Sequence, residues 1–420
     1  MSRISIRTFV LNAKTRLQQA LRANGSVSFV IGNESADLDS ITSALVYGYL
    51  QSSTAQAMAA NRYVFPVTNI PASDLTLRPE LTALLAHADL KPSDLITLDD
   101  LGKIPLPLEK SDWILVDHNA LQAEIGKHYS QSVSGVIDHH ADENKVPRNV
   151  QPRIIETTGS CASLVVNQCR SAWDDLASYS TTIGASHGQD DRLIDDFAYT
   201  STWDAQVAKL ALGAILIDTI NMKEEHKIRD HDRKAVRYLE ARINISPKLG
   251  KNYDRDRFFD EINAAKSNLD SLSLDDILRK DYKQWSEGDS KLGISSSVQL
   301  LEYLETKTDD FMAELINFGQ ERNLQLFAIM TAFNSDSGEF SRELLLICLD
   351  EGKATEAAQK FTETYSEKLQ LTSKQLKSMK NTQTHGSSGL WIRVWDQKDL
   401  TASRKQVGPM LRESMKRICE

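Results

Sequence analysis

Cysteine is scarce in this 420-residue chain, and the four present (Cys161, Cys169, Cys348 and Cys419) show neither CxxC spacing nor the density of a disulfide scaffold. That excludes a cysteine zinc site or a redox motif and makes free thiols in a reducing compartment the expectation. No apolar stretch approaches the length that spans a bilayer, and no apolar run followed by a small-residue cleavage site marks a secretory leader. Excess positive charge is missing too: 49 Lys and Arg stand against 58 Asp and Glu, a formal charge of −9. Such a chain lacks the broad basic face that a phosphate backbone demands, so neither nucleic acid as main substrate nor a membrane is expected as partner.

The charge is unevenly spread. Residues 341–420 hold 14 Lys and Arg against 10 Asp and Glu, a local +4, which leaves −13 on the rest. An acidic front and a basic tail suit a metal-binding domain joined to one that grips an anion. Arg342 and the lysines between Lys368 and Lys380 could line a channel, but a solvated helix face is the better reading. At the other end, Arg3, Arg7, Lys14, Arg16 and Arg22 occur with no acid in residues 1–30. This is the pattern of a mitochondrial presequence, yet a basic amphipathic helix packed beside the first strand explains it better, because a strand begins near Val27. A cytoplasmic monomer is the expectation, with mitochondrial location as the alternative.

Four apolar runs end in polar residues that are poor strand-core material. Val27–Ile31 leads into the loop Asn33-Glu-Ser-Ala-Asp37-Leu-Asp39-Ser40, residues 113–116 into Asp117-His118-Asn119, residues 135–137 into Asp138-His139-His140, and residues 214–217 into Asp218. Each reads as a buried strand that delivers ligands to the edge of a sheet. A single aspartate after a strand is usually a turn or a helix cap, and Asp99-Asp100 are read that way. Four such endings, one of them Asp-His-His, read instead as one site. The first loop enters a helix from Ile41 to Leu50, capped by Asp39 or Ser40. Glu156 to Ser163 reads as a loop closing on a helix N-terminus, where backbone N–H groups meet an anion.

Alternating strands and helices predict an α/β protein whose first domain, residues 1–243, has a mainly parallel sheet flanked by helices. Residues 172–203 are polar and without period and read as a partly mobile insertion. Residues 244–257 read as a linker, and 258–420 as a smaller α/β domain.

Parallel sheets gather ligands at the carboxyl ends of their strands, so Asn33, Asp37, Asp39, Asp117, His139, His140 and Asp218 should converge. Carboxylates that close together repel unless cations neutralise them, and two divalent ions would balance the set. An oxygen-rich set with little imidazole favours Mg²⁺, Mn²⁺ or Co²⁺. Two such ions activate water and polarise a phosphoryl oxygen, a route to hydrolysis. Asp117 and Asp218 are the expected bridging ligands, Asp37 and Asp39 each reach a different ion, and Asn33, a neutral amide, holds its ion more weakly. His118 and Asn119 stand between supporting the ligands and touching substrate.

The motifs Asn33 to Ser40, Asp117-His118-Asn119, Asp138-His139-His140 and Asp218 resemble the DHH phosphoesterase superfamily. Asp281-Tyr282-Lys283 and Ser403-Arg404-Lys405-Gln406 resemble its DHH-associated C-terminal domain, shared by manganese-dependent inorganic pyrophosphatases and fungal-type cytosolic exopolyphosphatases. The resemblance implies an active site in a cleft between the two domains. It implies metal ligation by Asp37, Asp39, Asp117, His139 and Asp218, and phosphate contacts by His140, Lys283, Arg404 and Lys405. Asn33 stands where the pyrophosphatases have a metal-binding histidine, which favours an exopolyphosphatase acting on the terminal phosphate of inorganic polyphosphate. The alternatives are a pyrophosphatase or nucleotide phosphodiesterase on the same scaffold and, from another class, a catalytically silent binding protein.

Overall fold

The computed structural model describes residues 3–102, 108–185, 190–270, 272–335, 338–350, 352–382 and 390–419. The chain forms two compact units, residues 1–266 and 267–420. In order, the first unit holds α1 (Ile6–Arg22), β1 (Val27–Ile31), α2 (Leu38–Ser52), α3 (Ala55–Ala59), β2 (Val64–Thr68), α4 (Pro79–Ala86), β3 (Ile96–Thr97) and β4 (Ser111–Val116). It continues with α5 (Ala123–Tyr129), β5 (Val133–Asp138), β6 (Arg153–Ile155), α6 (Cys161–Ala185), α7 (Asp190–Asp218), α8 (Asp230–Ile245) and α9 (Arg255–Ser267).

Six strands form one parallel sheet in the order β3-β2-β1-β4-β5-β6. Both faces are covered, as a parallel sheet requires. Val30, Val116 and Ile137 pack with α2, α6, α7 and α8, while their neighbours Phe29, Ile31, Leu115 and Val136 pack with Ala13, Leu17 and Tyr129 on the other side. Strand order reverses between β1 and β4, and at that switch point the loops after the two strands part and leave a crevice. The β1 loop and Asp117 lie there. The basic N-terminal helix belongs to this fold: Ile6, Phe9, Val10, Ala13 and Leu17 are buried, and Arg3 pairs with the buried Asp204.

Two sequence expectations are corrected. Residues 214–217 form no strand but the last turn of the 29-residue α7. Ala205, Val207, Ala208, Leu210, Ala211, Leu212, Ala214, Ile215 and Leu216 are all buried, and a helix enclosed on every side loses the 3.6-residue pattern that would have revealed it. The segment 172–203 is not an irregular insertion, because α6 and α7 run through it, with residues 186–189 outside the described set. Where its side chains are described, Trp173 donates to Asp204 and stacks edge-on with Tyr238 of α8. In the same unit α9 buries Phe258, Phe259 and Ile262 in the core.

The second unit contains α10 (Leu274–Lys280), β7 (Tyr282–Glu287), β8 (Ser290–Ser297), α11 (Leu301–Glu305), α12 (Phe311–Glu321), β9 (Leu326–Thr331), β10 (Phe333–Asn334), β11 (Phe340–Ser341) and β12 (Glu343–Cys348). It ends with α13 (Lys353–Leu369), β13 (Leu371–Ser373), α14 (Lys377–Thr382), β14 (Ile392–Gln397) and α15 (Arg404–Cys419). Its sheet, β13-β14-β12-β9-β8-β7, is antiparallel except for the β8–β9 pair. Alternate residues Leu344, Leu346 and Cys348 face Phe361 of α13 and Leu411 of α15 in a single core.

Candidate metal centre and phosphate-binding cluster

The site of the first unit is built from backbone turns that only certain residues permit. Gly32 ends β1 with no side chain because a Cβ there would meet Ser40 Cβ at 2.6 Å and Ser40 O at 2.9 Å. That close approach lets Ser40 Oγ reach Asn33 N (3.1 Å) and Asp117 Oδ2 (2.7 Å). Asp117 follows β4 with φ +61°, a left-handed conformation that Asp and Asn tolerate better than most side chains. Asn33 Nδ2 donates to the same Oδ2 at 2.8 Å. One oxygen of Asp117 is therefore fixed by two donors, and its other oxygen, Oδ1, faces His139 Nε2 at 3.2 Å.

His139 is held from behind. Its Nδ1 lies 3.0 Å from Thr158 O. A carbonyl can only accept, so Nδ1 carries a proton, and the other ring nitrogen, Nε2, faces Asp117 Oδ1 and, at 3.8 Å, Asp39 Oδ2. Asp39, buried in the first turn of α2, accepts from the N–H groups of Cys161 (2.6 Å) and Ala162 (2.7 Å) at the start of α6. The anion awaited by that helix N-terminus is thus the protein's own carboxylate.

Three lone-pair-bearing groups converging in a buried pocket fit a cation. Ligand atoms of Asp117, His139 and His140 lie within 4.8 Å of one another. The 3.2 Å between His139 Nε2 and Asp117 Oδ1 is close to the roughly 3.0 Å edge of an octahedron with about 2.1 Å bonds. Burial, and then the charges of Asp117 and Asp218, push the Asp39 carboxyl well above the usual carboxylate range, with His139 opposing and Asp37 adding to the rise. Asp37 and Asp218 therefore belong to the same electrostatic cluster. Burial would raise Asp138 as well, but a hydrogen bond from His140, the charges of His140 and His139 and a bond from Asn119 hold it well below the ordinary value. An ionised Asp138 takes the Nδ1 proton of His140 at 2.8 Å, and His140 is the more exposed of the two imidazoles.

Several assignments change in detail. Asn33 reaches the site through its nitrogen, while its amide oxygen accepts from Ser35 N at 2.8 Å, so as placed it orients Asp117 and does not offer an oxygen to an ion. The cap of α2 is neither Asp39 nor Ser40 but Asp37, which accepts from Ser40 N at 3.0 Å. Asn119 is consumed by structure: it donates to Asp138 and to Ala141 O and accepts from Glu143 N, which removes it as a substrate contact. His118 turns its Nδ1 to Val116 O at 2.9 Å. Asp99 and Asp100 are turn and cap residues as read, accepting from Ala72 N and Thr97 N. The N–H groups at the start of α6, read as meeting an anion, meet Asp39, whereas the bonds of Ser40 to Asp117 and of Thr158 O to His139 went unassigned.

In the second unit the two C-terminal motifs meet. Arg404, at the start of α15, donates through Nη1 to Asp281 O (2.8 Å) and through Nη2 to Asp281 Oδ1 (2.7 Å), at the residue that leads into β7 and Lys283. The helix start is a reciprocal cap, in which Gln406 Oε1 accepts from Ser403 N (2.9 Å) and Ser403 Oγ (2.8 Å). Lys405 lies exposed in the same turn.

Comparison with known proteins matches two family models in order along the chain. Residues 28–186 match the model of the DHH family, N-terminal domain, and residues 260–414 that of the DHHA2 domain. A Schizosaccharomyces pombe protein named "Putative exopolyphosphatase" is 35% identical over 417 residues, 99% of this chain and 97% of its own length. The human "Exopolyphosphatase PRUNE1" is 27% identical over 399 residues, 94% of this chain and 77% of its own. A manganese-dependent inorganic pyrophosphatase of Methanothrix thermoacetophila matches over 72% of this chain. Among solved structures, a Methanococcus jannaschii chain described as "putative family II inorganic pyrophosphatase" superposes with a TM-score of 0.55 at 18% identity, covering 93% of this chain and 99% of that one. With both domain models matched in order, and that level of identity along nearly all of a fungal relative, the chain belongs to the DHH family, in the branch that carries a DHHA2 domain.

Proposed function

We propose that this chain is an exopolyphosphatase, a metal-dependent phosphoanhydride hydrolase that removes the terminal phosphate of inorganic polyphosphate. The observation that carries the hydrolase reading is the convergence of His139 Nε2 with the buried oxygens of Asp117 and Asp39, a donor set that suits a cation. The exopolyphosphatase names of the relatives supply the substrate class. Use of a divalent metal follows from this donor set and from the manganese-dependent relative. Two ions, Mg²⁺, Mn²⁺ or Co²⁺, would be held by Asp37, Asp39, Asp117, His139 and Asp218. Bound there, they supply Lewis-acid polarisation of a phosphoryl oxygen and lower the pKa of water.

The chain's own groups do the rest. Asn33 and Ser40 fix the rotamer of Asp117, and Thr158 O fixes the tautomer of His139. Asp138 holds the Nδ1 proton of His140, which leaves Nε2 of that ring to meet a phosphoryl oxygen or carry its proton. We assign the leaving polyphosphate to Arg404, Lys405 and Lys283, where the planar guanidinium suits paired phosphoryl oxygens and the lysines supply mobile charge.

The test is phosphate release from long polyphosphate, tripolyphosphate, pyrophosphate and short oligonucleotides, each with Mg²⁺, Mn²⁺, Co²⁺ or chelator. Release from polyphosphate that needs metal is expected. Comparable or faster release from pyrophosphate would replace this reading by the pyrophosphatase alternative, and no release from any substrate would leave a binding protein.

A further inference from the structure

We propose that Asp232 is a positioning residue for the metal centre, acting through the segment 158–162; the proposal rests on the metal-centre reading above. Asp232 sits in the first turn of α8 and is fully buried. Its Oδ2 accepts from Gly159 N and Arg229 N, both at 2.8 Å, and its Oδ1 accepts from Ser163 Oγ at 2.6 Å and Ser160 N at 3.4 Å. The segment is also closed off by Thr219, the residue after Asp218: a Cβ on Gly159 would meet Thr219 Cγ2 at 2.6 Å and Asp232 Oδ2 at 3.1 Å.

That segment performs two tasks at the site. Thr158 O sets the tautomer of His139, and the N–H groups of Cys161 and Ala162 clasp Asp39. Two carboxylates thus share one helix N-terminus, Asp39 beside His139 and Asp232 held by Gly159, Ser160 and Ser163. Between them they fix five residues, so the orientation of the His139 ring and the place of Asp39 depend on hydrogen bonds made by a residue that touches neither. Asn at position 232 keeps one carbonyl oxygen for Gly159 N and Arg229 N and can turn its amide towards Ser163 Oγ, whereas Ala keeps none of these bonds.

The experiment titrates the full-length, chelator-treated chain with Mn²⁺ alone, following the free-ion electron paramagnetic resonance signal, and records the ring N–H resonance of His139 in labelled protein. Loss of a partner behind a metal ligand typically weakens affinity about ten- to a hundredfold. Asp232→Ala is expected to lose affinity in that range and to shift the His139 Nδ1–H resonance, and Asp232→Asn to regain most of both. A folded Asp232→Ala protein with unchanged affinity and resonance overturns the proposal, as does an equal loss in Asp232→Asn, which would assign the effect to charge. Should Asp232→Ala not fold, Ser163→Ala, which removes a single bond to Asp232, is expected to lose a few-fold in affinity, and no loss overturns the proposal. Failure of the unmodified chain to bind Mn²⁺ would overturn the metal-centre reading itself and the proposal with it.

Discussion

The stability of the metal-free protein against pH tests the electrostatics of Asp39. In the unfolded chain an aspartate ionises near about 3.9, whereas burial and the charges of Asp117 and Asp218 hold the folded group well above that. Between the two values the folded protein keeps a proton that the unfolded chain has released. The stabilisation is therefore fully present below about pH 4 and is lost as the pH rises through the folded value. One proton sets a slope of at most about 1.4 kcal/mol per pH unit, which for a unit of this size lowers Tm by roughly 3–6 °C per unit. Asp138 works in the opposite sense: its depressed folded value adds stability that is present above about pH 4 and lost below it, so the two windows do not overlap. Calorimetry of chelator-treated protein between about pH 5 and 8, beside Asp39→Asn, measures the difference. The unmodified protein is expected to lose Tm with rising pH more steeply than the variant, and added Mg²⁺ to abolish the difference by binding the ionised, folded form. Identical slopes for the two metal-free proteins would refute the reasoning.

Arg404→Ala and Lys405→Ala are expected to lower turnover on polyphosphate by roughly a hundredfold or more while leaving Mn²⁺ affinity intact, since neither belongs to the donor set. Equal loss of bound metal would contradict the roles given to them. Gly32→Ala drives a Cβ into Ser40 and is expected to cost about 1–3 kcal/mol in denaturant unfolding and to weaken Mn²⁺ binding, because Ser40 Oγ fixes Asp117. Unaltered metal affinity in that variant would detach Ser40 from the site.

The placement of Asp117 and Asp138 was legible because a parallel sheet places polar residues at its strand ends, and Val116 before Asp117 or Ile137 before Asp138 announces such an end with no help from tertiary structure. Asp218 was singled out for a reason that the fold does not support. The apolar run before it was read as a strand, whereas Leu210, Ala211 and Leu212 favour a helix by propensity, and burial on all sides erased the periodicity that would have decided the matter. The orientation of Asn33 could not be read, since an amide offers a donor and an acceptor alike and only the positions of Ser35 N and Asp117 select between them. Asp232 carried no local signal at all. Its partners Gly159, Ser160 and Ser163 lie some seventy positions earlier, and an Asp that caps Arg229 N in the first turn of a helix is ordinary helix chemistry. Pro and Gly near 247–250 mark a turn, but whether the helix beyond it turns back onto the first core depends on where Phe258 and Ile262 find apolar neighbours.

The left-handed backbone at Asp117 governs how an inert form of this enzyme should be made. Alanine would strain that backbone and a β-branched residue would strain it further, but asparagine accepts it readily. In Asp117→Asn the amide oxygen takes over the bonds from Asn33 and Ser40, and the amide nitrogen then stands where Oδ1 stood, close enough to donate into the lone pair of His139. A neutral hydrogen bond then joins the two groups proposed to hold an ion, and the expected product is a folded, unreactive chain suited to trapping intact polyphosphate for crystallography.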